Sequence, residues 1–122
     1  MATTKGKTSI WAAQSLTGGA GPTTSSKITT TDAYAILLMV KLTNGATAPT
    51  TPAQVQVQLT ADSSSEVWYN HNGPLVGSAA NSGVESWAFE LPAGTMYLQL
   101  VATHGDDQDV TINADISELT GI

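Results

Sequence analysis

The sequence contains no cysteine and no arginine, and charged residues fill only 11% of its 122 positions. Without cysteine, neither a disulfide nor a thiolate-bound metal can hold the fold, so stability has to come from apolar packing and sheet hydrogen bonds. The same absence leaves the redox compartment open. Four lysines face ten acids, for a net charge of −6. Binding to phosphate backbones rests on clustered Lys and Arg, so nucleic acid is not an expected partner. Long apolar runs are missing too. The longest, residues 33–40, is far short of the ~20 residues that span a bilayer as a helix, and no membrane association is expected. No apolar segment follows Lys5 and Lys7, so a secretory signal is not expected and synthesis belongs in a cytoplasm.

What the chain has in quantity is Thr and Ser, which keep a surface soluble through hydroxyls more than through ions. The length is that of one domain. The few charges are unevenly placed: Lys5, Lys7, Lys27 and Lys41 come early, and every acid except Asp32 lies from Asp62 onward. A basic N-terminal segment would be drawn to an acidic surface, its own or a neighbour's; the plain alternative is chance among few charges. The organisation expected is an extended arm over residues 1–8 and a single β-domain over residues 9–122.

Period-2 alternation dominates, and no stretch of eleven or more residues sets its apolar positions at helical spacing between caps. In residues 54–60, Val55, Val57 and Leu59 fall on one face and Gln54, Gln56 and Gln58 on the other, a half-buried strand with a wet side. Residues 110–116 alternate likewise, and the natural partner for that strand is the preceding run, where Met96, Leu98, Leu100 and Ala102 share a face. Trp87, Phe89 and Leu91 supply a third apolar row, and Ile10 and Trp11 are the packing residues of a first strand over residues 7–16. Residues 33–42 are apolar on both faces, with Tyr34, Ile36, Leu38, Val40 and Leu42 on one and Ala35, Leu37 and Met39 on the other. Antiparallel sheets normally keep one face polar, so the second face is either overlaid by a loop or forms an intermolecular contact; the loop is the expectation.

Gly18, Gly19, Gly21 and Pro22 break residues 18–26 into a loop or arm, residues 47–52 form a second such connection, and residues 91–95 read as a tight strand-to-strand turn. Seven or eight short strands at this spacing describe an all-β fold, an antiparallel β-sandwich with the jelly roll among the candidates. Strand order is not given by periodicity.

Sites are scarce. The two histidines, His71 and His104, both lie beside turns, and no strained Gly-x-Ser-x-Gly elbow accompanies the many serines, so no catalytic group is expected. Asp106, Asp107 and Asp109 offer oxygen ligands but lack the EF-hand spacing, and a solvated turn is expected in place of a metal site. No cofactor is expected either. Trp68, Tyr69 and His71 fall in a segment that reads as a hairpin tip. They would make either a stacking platform for a sugar or an anchor in a protein contact, against the plainer reading that Trp68 is core and Tyr69 covers its edge. The candidate interface residues are therefore Lys5, Lys7, Leu37, Met39, Trp68, Tyr69 and His71.

Taken together, the chain resembles the small decoration, or cement, proteins that coat tailed-bacteriophage heads. The resemblance rests on the Thr/Ser-rich composition without Arg or Cys, the arm Met1-Ala2-Thr3-Thr4-Lys5-Gly6-Lys7, the Gly/Pro-rich loop, and the ending Leu91-Pro92-Ala93-Gly94-Thr95-Met96-Tyr97-Leu98. It is one of type, spans the whole chain and carries over no functional residue. It implies a virion structural protein made in the host cytoplasm and placed on the capsid surface, a homo-oligomer (dimer or trimer) that bridges subunits of the major capsid protein. Two alternatives stand beside it: a glycan-binding module or phage fibre tip, and a tail or connector ring component.

Overall fold

The computed structural model describes residues 4–61 and 67–120. They form ten β-strands: β1 (Thr4–Leu16), β2 (Thr23–Thr24), β3 (Ile28–Thr29), β4 (Ala33–Asn44), β5 (Gln54–Thr60), β6 (Tyr69–Asn70), β7 (Leu75–Val76), β8 (Val84–Leu91), β9 (Tyr97–Thr103) and β10 (Val110–Thr120). Every pairing is antiparallel. Sheet A has the order β1-β10-β4-β8. In sheet B the row runs β2-β9-β5-β6, with β3 also on β9 and β7 also on β5.

The ten strands fill eight positions, because β2 and β3 follow one another along β9, and β6 and β7 follow one another along β5. Numbered by position, the sheets read 1-8-3-6 and 2-7-4-5. That is a long hairpin, four positions out and four back, rolled into two layers: a jelly-roll sandwich. Consecutive positions therefore lie in opposite sheets, except for the step from β5 to β6.

Two expectations about local pairing are corrected by this wrapping. The run before β10 is not its partner, since β9 belongs to sheet B and β10 is inserted between β1 and β4 of sheet A. The segment at residues 68–74 is not a hairpin tip, since β6 and β7 both pair with β5 and not with each other. The tight turn expected after Leu91 is present, with Thr95 N–H donating to Pro92 O (3.0 Å), and it carries the chain from sheet A to sheet B. Residues 4–8, assigned to the arm, are paired with residues 116–120 as the first half of β1; residues 1–3 lie outside the described residues. Within the Gly/Pro-rich stretch, β2 forms on the edge of sheet B.

The alternation read from the sequence decides what goes inside. Ile36, Leu38, Val40 and Leu42 of β4, Val110, Ile112, Ala114 and Ile116 of β10, Val55 and Val57 of β5, and Leu98, Leu100 and Ala102 of β9 are all buried in the layer between the sheets. Each large member contributes roughly 1.5–3 kcal/mol by leaving water. Ile10, Trp11, Trp87 and Phe89 pack against this layer from its rim. Ile10 and Trp11, adjacent in sequence, both manage this because the β1 register slips between Ser9 and Trp11. A slip between Leu119 and Thr120 has the opposite effect on Tyr34: the ring leaves the side of Ile36 and is 56% exposed.

Antiparallel order sends the connections at residues 17–22, 45–53, 77–83 and 104–109 to one end of the sandwich. Those at residues 30–32 and 92–96 go to the other end. The first end is stitched by polar bonds. Asn44 is buried and donates its Nδ2 to Ser78 O (2.8 Å) and Ala80 O (2.9 Å), while the Asn81 side chain accepts from Ala48 N. Gly18 lies so close to the next loop that a Cβ there would sit 2.5 Å from Gln108 N, which is why the position needs glycine.

Candidate functional site

The chemistry-bearing side chains are used inside the fold. His104 spans two loops, with Nδ1 2.7 Å from Thr17 O and Nε2 2.7 Å from Thr23 Oγ1. In the neutral ring this means that Nδ1–H donates to the carbonyl and Nε2 accepts from the hydroxyl. Asp106 accepts from Thr51 N, Asp107 from Thr50 N and Thr50 Oγ1, and Asp109 from Gly18 N, at 2.8–3.0 Å. The three acids thus cap backbone donors of neighbouring loops. The Thr50 N–H, more than any other group, holds the Asp107 carboxyl below the usual carboxylate range. Among the described residues, no group of three or more His, Asp or Glu is placed to hold a metal ion.

The aromatic cluster expected around residues 68–71 is not one surface. His71 is half-buried and stacks on Phe89, with ring centroids 6.2 Å apart and planes at 23°, and its N–H donates to Val57 O. Trp68 is half-buried. Tyr69 alone of the three projects, 65% exposed, beside a shallow apolar hollow formed with Leu59, Pro92, Gly94 and Thr95 at the end of the sandwich that holds residues 92–96. Tyr34 and Val67 are also exposed. In that hollow Thr95 contributes a buried Oγ1 that has no hydrogen-bond partner among the described residues.

The two outer sheet faces differ in kind. On sheet B the outward row is an amide ladder: Gln99 Nε2 donates to Gln58 Oε1 (2.7 Å) and Gln58 Nε2 to Asn70 Oδ1 (3.1 Å). Tyr97 lies under the Lys27 ammonium, 4.6 Å from the ring centre. These groups satisfy one another. Sheet A is different, because among the described residues no loop overlies the second face of β4, against the expectation that one does. Leu37 is 36% exposed, Ala35 is exposed and Met39 half-exposed. The described connections run to the ends of a jelly roll and none of them returns across a face, which is the physical reason.

Register assigns the rows of that face. Lys7, Ser117, Leu37 and Glu90 lie side by side across the four strands. The next row holds Ser9, Asp115, Met39 and Ala88, and the row on the other side Lys5, Leu119 and Ala35. Beyond Met39 come Asn113, Lys41 and Ser86. Shallow grooves run among these side chains. Lys7 Nζ is 3.8 Å from Asp115 Oδ2, a loose surface pair worth little by itself. So Lys5, Lys7, Leu37 and Met39, picked separately in the sequence, share one face, and Tyr69 and Trp68 do not belong to it. Sequence reasoning missed Ala88, Leu119 and Glu90 as members. Only the register, which brings β8 and β10 to the flanks of β4, reveals them.

No protein-family model matches the chain, and no curated protein matches it by sequence. Solved structures do share its fold. The SPBc2 prophage-derived protein YomS aligns over 97% of this chain and 96% of its own, at 12% identity and a TM-score of 0.56. The VP2 subviral particle of infectious bursal disease virus aligns over 97% of this chain and 33% of its own, at 7% identity and a TM-score of 0.61. A family 16 carbohydrate-binding module aligns over 88% and 74%, at 14% identity and a TM-score of 0.50. At these identities the similarity is one of fold: an antiparallel β-sandwich found in prophage, viral-shell and carbohydrate-binding proteins alike.

Proposed function

We propose that the protein is a virion structural component that decorates a bacteriophage head, binding across neighbouring subunits of the major capsid protein and reinforcing the shell without catalysing a reaction. The observation that carries this reading is how apolar surface is distributed. Exposed apolar groups gather on two separate surfaces, the outer face of sheet A from Leu37 to Val84 and the end around Tyr69 and Pro92, while at the opposite end, where Val76 is also exposed, the loops are held by their own hydrogen bonds. Contiguous apolar surface rimmed by polar residues marks a contact with another macromolecule. The jelly-roll fold, shared with a viral shell protein and a prophage protein, supports the same reading. Reinforcement would follow from number: each copy adds a modest contact, and rupture of the shell must break many of them in parallel. Immunogold labelling of purified phage particles with an antibody to this protein is expected to cover the head. Label confined to the tail, or none, would overturn the assignment.

A second reading rests on Tyr69, whose exposed ring beside Pro92 offers a stacking surface for a sugar. On a glycan array it requires specific binding that Tyr69→Ala abolishes.

A further inference from the structure

We propose that the outer face of sheet A is the mating surface of a symmetric dimer of this chain, with the two-fold axis running along the strands between β10 and β4. The pairing stands by itself, and the use made of it rests on the decoration reading above.

The charges on the face choose the partner. Of four lysines in the chain, Lys5, Lys7 and Lys41 lie here, with Asp115 and Glu90 as counter-charges. The face therefore carries a net +1 (three minus two), although the chain as a whole carries −6. It is thus a surface free of the net negative charge that otherwise keeps two copies of this chain apart.

The arrangement of those charges then chooses the axis. In aligned packing two sheets keep their strands within about 30° of one another, and the two-fold axis then lies either along the strands or across them. An axis across the strands sets each copy's β1 over the other's β1, lysine edge over lysine edge, and Glu90 edge over Glu90 edge. An axis along the strands sets β1 of one copy over β8 of the other. Lys7 and Glu90 share a row, so Lys7 of each copy then faces Glu90 of its mate, twice per dimer. Leu37, Met39, Ala35 and Leu119 fall in the middle, together with Ser117 and with Asp115, whose carboxylate lies 3.8 Å from Lys7 Nζ of its own copy. Four strands about 4.8 Å apart and seven residues about 3.4 Å each give a footprint of about 450 Å² per copy, about 900 Å² in total, which falls below the ~1,000 Å² of a stable contact and makes this a weak, transient one. The dimer is accordingly expected to dissociate on dilution.

A further property follows from this axis: both copies point the same end the same way. The two Tyr69 hollows emerge on one side of the dimer and the two hydrogen-bonded loop ends on the other. A unit with two equal binding ends on one side can span adjacent capsid subunits, whereas a single copy needs two unlike sites to do so.

Sedimentation velocity of the full chain over a range of concentrations tests the pairing, with circular dichroism checking that each variant folds. Wild type is expected to show a monomer–dimer equilibrium. Lys7→Glu and Glu90→Lys are each expected to weaken it about tenfold, because each sets like charges face to face at both contacts. Mixing the two single variants is expected to restore dimers, since every contact in the mixed dimer again joins opposite charges; the double variant is expected to recover for the same reason. A wild type that stays monomeric at high concentration, or a dimer indifferent to both substitutions, overturns the proposal. So does the pattern in which wild type is monomeric and Leu37→Asp abolishes head binding, which would make this the capsid-facing surface. Dimers in solution with unlabelled heads would remove the decoration reading and leave the dimer standing.

Discussion

Glu118 sits on the core-facing side of β10, in a row with Gly6 and Ile36, where sheet A begins to run out from under sheet B. Partial burial and, secondarily, the nearby charge of Asp32 push its carboxyl above the usual carboxylate range. A carboxylate whose folded pKa is raised costs stability wherever it is ionised. The cost is present in full above the raised pKa and is gone once pH falls below the unfolded value. Glu118→Gln is therefore expected to raise the melting temperature at pH 7 and leave it unchanged near about pH 3. Thermal melts across that range check the sign. Asp107 behaves in the opposite sense, since its carboxyl is held low by the Thr50 N–H and its stabilising contribution is lost as pH falls through the folded value. Neither role could be read from the sequence. Asp107 looked like part of a solvated turn and nothing marked Glu118 out, because both roles depend on which loops and rows the fold brings near them.

At the scale of the element, β1 is a long edge strand that keeps its place through irregularity. Its register slips again between Trp11 and Gln14, and Ala13 takes a left-handed φ of 50° so that its N–H can reach Asn113 Oδ1 at 2.8 Å. A left-handed conformation costs an L-residue about 1–2 kcal/mol, and glycine avoids most of that while costing about 0.5–1 kcal/mol of backbone entropy. Ala13→Gly is expected to stabilise the protein by about 0.5–1 kcal/mol, measured by urea denaturation; a loss of stability would mean that the bulge is not strained. Strands were the most legible part of this protein. The alternation of Val55, Val57 and Leu59 against three glutamines, and of Val110, Ile112, Ala114 and Ile116, predicts the buried face of β5 and β10 correctly, because side-chain direction along a strand is a property of the backbone alone. The bulges at Ile10, Ala13 and Tyr34 were not legible, since a one-residue slip leaves no trace in composition. That is why Tyr34 was assigned inward and stands outward.

At the scale of the whole molecule, pairing joins segments far apart in the chain: β1 with β10, β2 and β3 with β9, β4 with β8. Topologies built from such non-local pairs fold slowly, because chain entropy is lost before contacts compensate for it. Stopped-flow refolding is expected on a timescale of milliseconds to seconds, and microsecond refolding would contradict the strand order. The sandwich class was readable from the number and spacing of strands, while strand order was not. Neighbouring runs such as residues 96–103 and 110–116 look like natural partners, and nothing local says that the second will cross to the other sheet. The open face of β4 was visible in Ala35, Leu37 and Met39 as an anomaly, and only the wrapping shows that none of the described loops returns to cover it.

The place of β10 in the middle of sheet A has a bearing on biosynthesis. While a ribosome is still making this domain, β1 and β4 have emerged but the strand that joins them has not, and half of the sandwich is missing its central stave. The domain cannot close around its interior until the eighth position clears the exit tunnel. Copies stalled partway through translation would then carry an unpaired strand flank and bare aliphatic rows, and would be taken up by chaperones or proteases before reaching any partner.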